Sequence, residues 1–207
     1  NGDGLPVCRL RDKNGRHIGV VLGIAVGPVG LISETSPFIP LDSTQQQFWR
    51  KFEEYIVDVA GRYAFILVRG SQTRMYVDPV GMIGAVYNKE DRYVASSPLL
   101  AIKRPVRQNP KFDPTIIEKH AGKYSLFHTV DVGVKRLMPN HYLDLSNFKE
   151  KRFWPKTENF VEPGQTRMSI YSEIAARTQF NVNAISSNFT CAMPISGGQD
   201  SRLLLAL

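Results

Sequence analysis

The 207-residue chain is 43% apolar and 22% charged, a balance that excludes disordered and fibrous classes and fits an ordinary soluble globular protein. Its formal charge of +7 could suit a polyanion, but Lys and Arg read as scattered along the chain, which disfavours nucleic acid as a partner. No apolar run reaches the ~18 residues of a membrane span, and Cys8 and Cys191 lie too far apart to suggest a disulfide framework or zinc spacing, so a reduced, cytoplasmic setting is expected.

The opening NGDGLPVCRLRDKNG lacks the apolar segment of a signal peptide and an initiator Met, so residue 1 is expected not to be the native start. Residues 1–17 read as polar loop. Residues 18–26, IGVVLGIAV, form a continuous apolar run that fits a buried strand, stopped by GPVG at 27–30. Residues 33–40 read as loop. Asp42 or Ser43 can cap a helix in which Phe48, Phe52, Tyr55, Ile56 and Val59 recur at helical spacing, forming one stripe for a core. After Gly61, the runs at 63–68, 73–78, 83–88 and 92–96 are short, aromatic and β-branched, with turn chemistry between them. They predict an antiparallel meander rather than βαβ units.

Residues 97–103 add a turn or two of helix, and 104–109 a basic surface connection. Asp113 caps a short helix to 121, with Pro114 in its first turn. Residues 134–145 predict two short strands bent at Pro139–Asn140, and KRFWP closes the region. Residues 156–165 read as a linker. A helix from Thr166 to Ser186 then carries a mostly apolar face through Ile170, Ile174, Thr178, Val182 and Ile185.

The final stretch, FTCAMPISGGQDSRLLLAL, concentrates the chemistry. Phe189–Ile195 reads as a strand, Ser196, Gly197 and Gly198 as a turn, and Asp200–Leu207 as the start of a helix. Two glycines allow a tight turn and close approach of a ligand to the backbone. N–H groups at a helix start favour an anion there. Ser196 and Ser201 add hydroxyls, and Asp200 adds a carboxylate able to hold Mg²⁺. No Gly-Lys-Ser/Thr follows, so this is not a Walker A loop. The competing reading is a helix start capped by serines, with the glycines serving only the turn. His17, His120 and His128 show no metal spacing, and His141 reads as packed in a turn.

Ser-Gly-Gly-x-Asp-Ser resembles the pyrophosphate loop of the N-type ATP pyrophosphatases. AGRYAFILV, YVDPVGMIGAVYN and YVASSPLLAI precede it in an order that resembles the asparagine synthetases and asparagine synthase-related proteins. KRLMPNHYLDLSNFKEKRFW is similar to that family's Pro-Gly-His strand pair, with Asn140 in place of the glycine and Phe153-Trp154 at the close.

The resemblance implies an α+β fold with two domains. An antiparallel class II glutaminase-like sandwich of Ntn type would span 1–155. After the linker, the truncated beginning of an α/β, Rossmann-like adenine-nucleotide domain would span 166–207. It further implies an ATP-dependent carbon–nitrogen ligase that adenylates a carboxylate and passes it to ammonia or an amine, with ATP and Mg²⁺ and a homodimeric assembly. Asp200 would be the catalytic and metal residue. Ile195, Ser196, Gly197, Gly198, Gln199, Asp200 and Ser201 would form the nucleotide-binding set.

Three departures imply either that the front of the glutaminase domain is missing from this chain or, as Ala60 favours, that the domain is a relic without activity. Residue 1 is Asn where the family has its nucleophilic Cys. The Asn-Gly-Glu glutamine-pocket segment has no counterpart. Ala60-Gly61 stands where the family has Asp-Gly. The chain is expected to stop short of a complete synthetase and to be inactive as a piece. The alternatives are a tRNA-modifying pyrophosphatase of the same loop type and a non-catalytic scaffold.

Overall fold

The computed structural model describes residues 4–120, 122–156, 164–195 and 197–206. Among them the chain is mixed α and β, and every pairing between its strands is antiparallel. One large sheet has the order β1-β2-β4-β5-β9-β10, with β3 also on β2, and a small sheet has the order β7-β6-β8. No helix among the described residues is long and apolar enough to cross a membrane.

The first strand, β1 (Val7–Arg11), corrects the expectation of loop over 1–17 for its described part. Cys8 and Leu10 point into the core while Val7, Arg9 and Arg11 face outward, the period of two that a half-buried strand requires. It pairs with β2 (His17–Gly27), the apolar strand expected at 18–26. Pro28-Val29 then turns β2 into β3 (Gly30–Ile32).

Helix α1 spans Phe48–Ile56, so it starts later than the Asp42 or Ser43 expected. Those side chains are used elsewhere. Asp42 accepts from the Thr44 amide and hydroxyl, and Ser43 donates through its amide and hydroxyl to Asp12. The stripe is buried as expected at Phe48, Phe52, Tyr55 and Ile56, while the helix ends before Val59, which is buried just beyond it.

Strand β4 (Ala60–Arg69) shows how the layers stack. Tyr63, Phe65 and Leu67 join α1, Cys8 and Leu10 in one core, while Ala64 and Ile66 face a second core on the other side. The second core also takes Met75 and Val77 of β5 (Gln72–Val77) and Tyr87 of β6 (Val86–Asn88). The molecule therefore layers α1, large sheet and small sheet. Between α1 and β5, the Arg74 guanidinium lies 4.3 Å from the rings of both Trp49 and Tyr142 and 3.1 Å from Glu53.

The single meander expected over 63–96 is divided. β4 pairs β5, and β6 pairs β7 (Tyr93–Ala95), but β5 passes its other edge to β9 (His141–Asp144). The strand pair around Pro139–Asn140 is likewise shared, with β8 (Val134–Arg136) on β6 and β9 in the large sheet. Asn140 adopts φ 60° at the bend, a backbone region that Asn tolerates better than most residues. β10 (Lys149–Arg152) closes the large sheet on β9. A 3₁₀ turn at Pro98–Ala101 and helix α2 (Pro114–Lys119), capped by Asp113, match the expectation for those stretches.

Helix α3 (Arg167–Ser186) starts at a reciprocal cap between Thr166 and Ser169. Its expected apolar face is not a core face. Ile174 and Val182 are exposed, and Ile170, Thr178 and Ile185 are only half-buried. The strand expected at 189–195 is absent: these residues are irregular, exposed and pair with no strand. Helix α4 (Gln199–Ala206) follows, with Leu203, Leu204 and Leu205 exposed. Residues 157–163 of the expected linker lie outside the described residues.

Candidate functional site

The loop before α4 keeps the turn-to-helix half of the expected anion site and loses the strand half. Gly197 and Gly198 form a bend, and α4 begins at the next residue, Gln199. A side chain on Gly197 would meet no atom within 4 Å, so no neighbour demands glycine there and the backbone is open to a ligand. Asp200 stands exposed in the first turn, and the half-buried Ser201 directs its hydroxyl to the Gly198 carbonyl at 3.5 Å. Ile195 is exposed rather than ending a buried strand. Ser196 lies outside the described residues.

First-turn amides of a helix have no partner further back in it and carry the positive end of the dipole. The donor set is therefore one for phosphate oxygens. Among the described residues no three His, Cys, Asp or Glu side chains gather into a metal site.

A second feature faces α3. A cleft of about 530 Å³ runs between Val57–Ala60, the β2–β3 turn and the α3 residues Arg177, Phe180 and Asn181. Arg177 crosses it to Asp58 at 2.7 Å. Ala60, at the position where the resemblance expects an Asp, lines this cleft. Next to it Gly61 has φ +124°, and a side chain there would collide with the Ile24 carbonyl of the neighbouring strand. A smaller, apolar pocket of about 340 Å³, lined by Tyr63, Met138, Phe153 and Trp154, adjoins it at Val57 and Pro79.

Neither cysteine is placed as a nucleophile. Cys8 is 4% exposed, and burial, with the nearby Glu34 charge, pushes its thiol up to about 11. It is a neutral core side chain at physiological pH. Cys191 lies exposed on the irregular stretch before α4. His141 sits in its turn as expected, its Nδ1 3.0 Å from Asn140 Oδ1 and its ring edge-on to Phe127.

Asp58 and Arg177 of the cleft carry no sequence signature, because their pairing spans 119 positions. Asn188, which opens an Asn-Phe-Thr sequence, is exposed. Its amide donates to the Ala184 carbonyl at 2.8 Å.

No known protein-family model matches the chain. No curated protein matches it either.

Proposed function

We propose that the chain belongs to an ATP-dependent amide-forming ligase similar to the asparagine synthetases. The observation that carries this reading is Gly197-Gly198 leading directly into α4 with Asp200 in its first turn. On this reading, the substrate carboxylate attacks the α-phosphate of ATP and expels pyrophosphate, and ammonia or an amine then displaces AMP. The α4 amides hold the oxygens on which negative charge grows as pyrophosphate leaves, joined by the Ser201 hydroxyl once it turns from the Gly198 carbonyl. Asp200 would hold a magnesium ion, which would supply positive charge against that growing on the pyrophosphate.

Residues 1–155 are read as a glutaminase-like sandwich of Ntn type without its own chemistry. Two antiparallel sheets with α1 outside support the first part. The buried thiol of Cys8 and the alanine at position 60 support the second. The Rossmann-like continuation rests on the loop and α4 alone.

The test is AMP release from Mg-ATP by the intact protein, with aspartate and other carboxylates offered together with ammonia or glutamine. AMP formed with ammonia but not glutamine, and reduced on the order of 100-fold or more in Asp200→Ala, is the expected result. No AMP under any condition, with wild type and Asp200→Ala binding nucleotide equally, would overturn the ligase reading.

A further inference from the structure

The positive charge of this protein is concentrated in one stretch of the chain. Residues 101–156 hold twelve Lys and Arg against five Asp and Glu, the whole of the +7. The first hundred residues nearly balance, at eleven against ten. Four of the five acids are already engaged within the same region. Arg104 grips Asp131 at 2.7 and 2.9 Å, Asp113 caps α2 through Thr115, Asp144 closes the turn into β10, and Glu150 lies 3.6 Å from Lys135.

Lys111, Lys119 and Lys123 are exposed and have no ion pair among the described residues. The fold gathers them around α2. Phe112 and Tyr124 stack edge-on with centroids 5.2 Å apart, which brings their neighbours Lys111 and Lys123 to one end of the excursion. Ile116 and Lys119, three residues apart, share one face of α2, while Glu118 lies off that face.

The same segment also exposes aliphatic side chains. No residue of α2 is buried, Ile116 is 54% exposed, and Leu126 in the following loop is 65% exposed. The aromatic rings are turned inward. Phe112 packs on Tyr124 and, at 5.1 Å, on His128, and all three are half-buried. Binding of single-stranded nucleic acid uses open aromatic faces on which bases stack. This surface instead offers lysines beside bare aliphatic side chains.

We propose that the described residues of α2 and its flanks, 111–120 and 122–126, dock an acidic polypeptide segment that carries aliphatic side chains. Its carboxylates would meet Lys111, Lys119 and Lys123, and its aliphatic groups would cover Ile116 and Leu126. The cations of β10 have a separate explanation. Lys149, Lys151 and Arg152 line the free edge of the large sheet, where charge discourages edge-to-edge pairing. The proposal does not depend on the ligase reading.

Three labelled probes of equal charge test it by fluorescence anisotropy on the unaltered protein: a Glu–Leu peptide, a Glu–Ser peptide and oligothymidine. The Glu–Leu peptide is expected to bind most tightly, with affinity that falls as salt is raised. The triple variant Lys111→Glu, Lys119→Glu, Lys123→Glu should weaken it by about tenfold or more. The double variant Ile116→Ser, Leu126→Ser should bring it down to the level of the Glu–Ser peptide. The edge variant Lys149→Glu, Lys151→Glu should change it by less than about threefold. No binding of the Glu–Leu peptide, tighter binding of oligothymidine, or an equal loss in the edge variant would overturn the proposal. The comparison of the three probes stands without any variant.

Discussion

Asp12 shows how a single buried carboxylate joins distant parts of the chain. It is fully buried and accepts from the amides of Asn14 and Arg16 at 2.9 Å, and from the Ser43 amide and hydroxyl at 3.1 and 2.6 Å. Burial alone would raise its pKa, but the hydrogen bonds from Ser43, Arg16 and Asn14 win and hold it down at about 2. A lowered folded-state pKa stabilises the fold fully above the unfolded value of ~4, and that contribution is lost as pH falls through about 2. In acid titrations followed by circular dichroism, Asp12→Asn should therefore lose stability at neutral pH and show a flatter acid limb between those values. An unchanged acid limb would show that the hub contributes nothing. The thiols give a second residue-scale test. Ellman's reagent should label Cys191 rapidly in the native protein and Cys8 only on unfolding, since only the thiolate reacts and Cys8 is both buried and raised to about 11. Rapid labelling of both would contradict the burial of β1. Neither behaviour was legible in sequence, because Asp12 and Ser43 are 31 positions apart and Cys8 sat in a stretch read as loop.

Elements differ in how firmly they are held. Phe52 is fully buried and packs against Phe48, Tyr55, Phe65 and Tyr76, with ring centroids 5.0 to 6.3 Å away. Phe52→Ala should cost about 3–5 kcal/mol in chemical denaturation, because the surrounding rings cannot collapse into the cavity. A loss below ~1 kcal/mol would mean that α1 is not seated on this core. Helix α3 is the opposite case, with no buried residue and an exposed ion pair, Arg177 to Asp58, as its clearest tie to the sheet layers. Arg177→Ala should change global stability by under about 1 kcal/mol but speed hydrogen exchange along α3. Exchange unchanged in α3 would show that the pair does not anchor it. The α1 stripe was readable because all five of its positions carry aromatic or aliphatic side chains within one short run of helical spacing. Its start was not, because the side chains that could cap it are taken by Asp12 and Thr44. The run at 189–195 has strand-like composition, yet a strand exists only where a neighbour completes its hydrogen bonds.

At the scale of the molecule, the proposed chemistry and the folded core are separate. The loop at Gly197–Ser201 is exposed or half-buried, whereas the two cores lie within the sheet layers. Asp200→Ala should therefore leave the thermal midpoint within about 2 °C of the parent, since surface changes move stability by under ~0.5 kcal/mol. A large drop in midpoint would make Asp200 a structural residue and remove the variant as a probe of chemistry. What sequence alone determined was local: the apolar run of β2, the α1 stripe, the cap and proline of α2, and the glycine pair ahead of α4. Each depends on residues close together in the chain, where spacing and turn chemistry act directly. Tertiary structure decided the rest. It divided the expected meander between two sheets, made β5 the neighbour of β9 and left the α3 stripe uncovered. It also packed Phe112 against Tyr124 across α2. Those outcomes depend on which surfaces meet once distant segments compete for the same core, and that competition leaves no trace in local spacing.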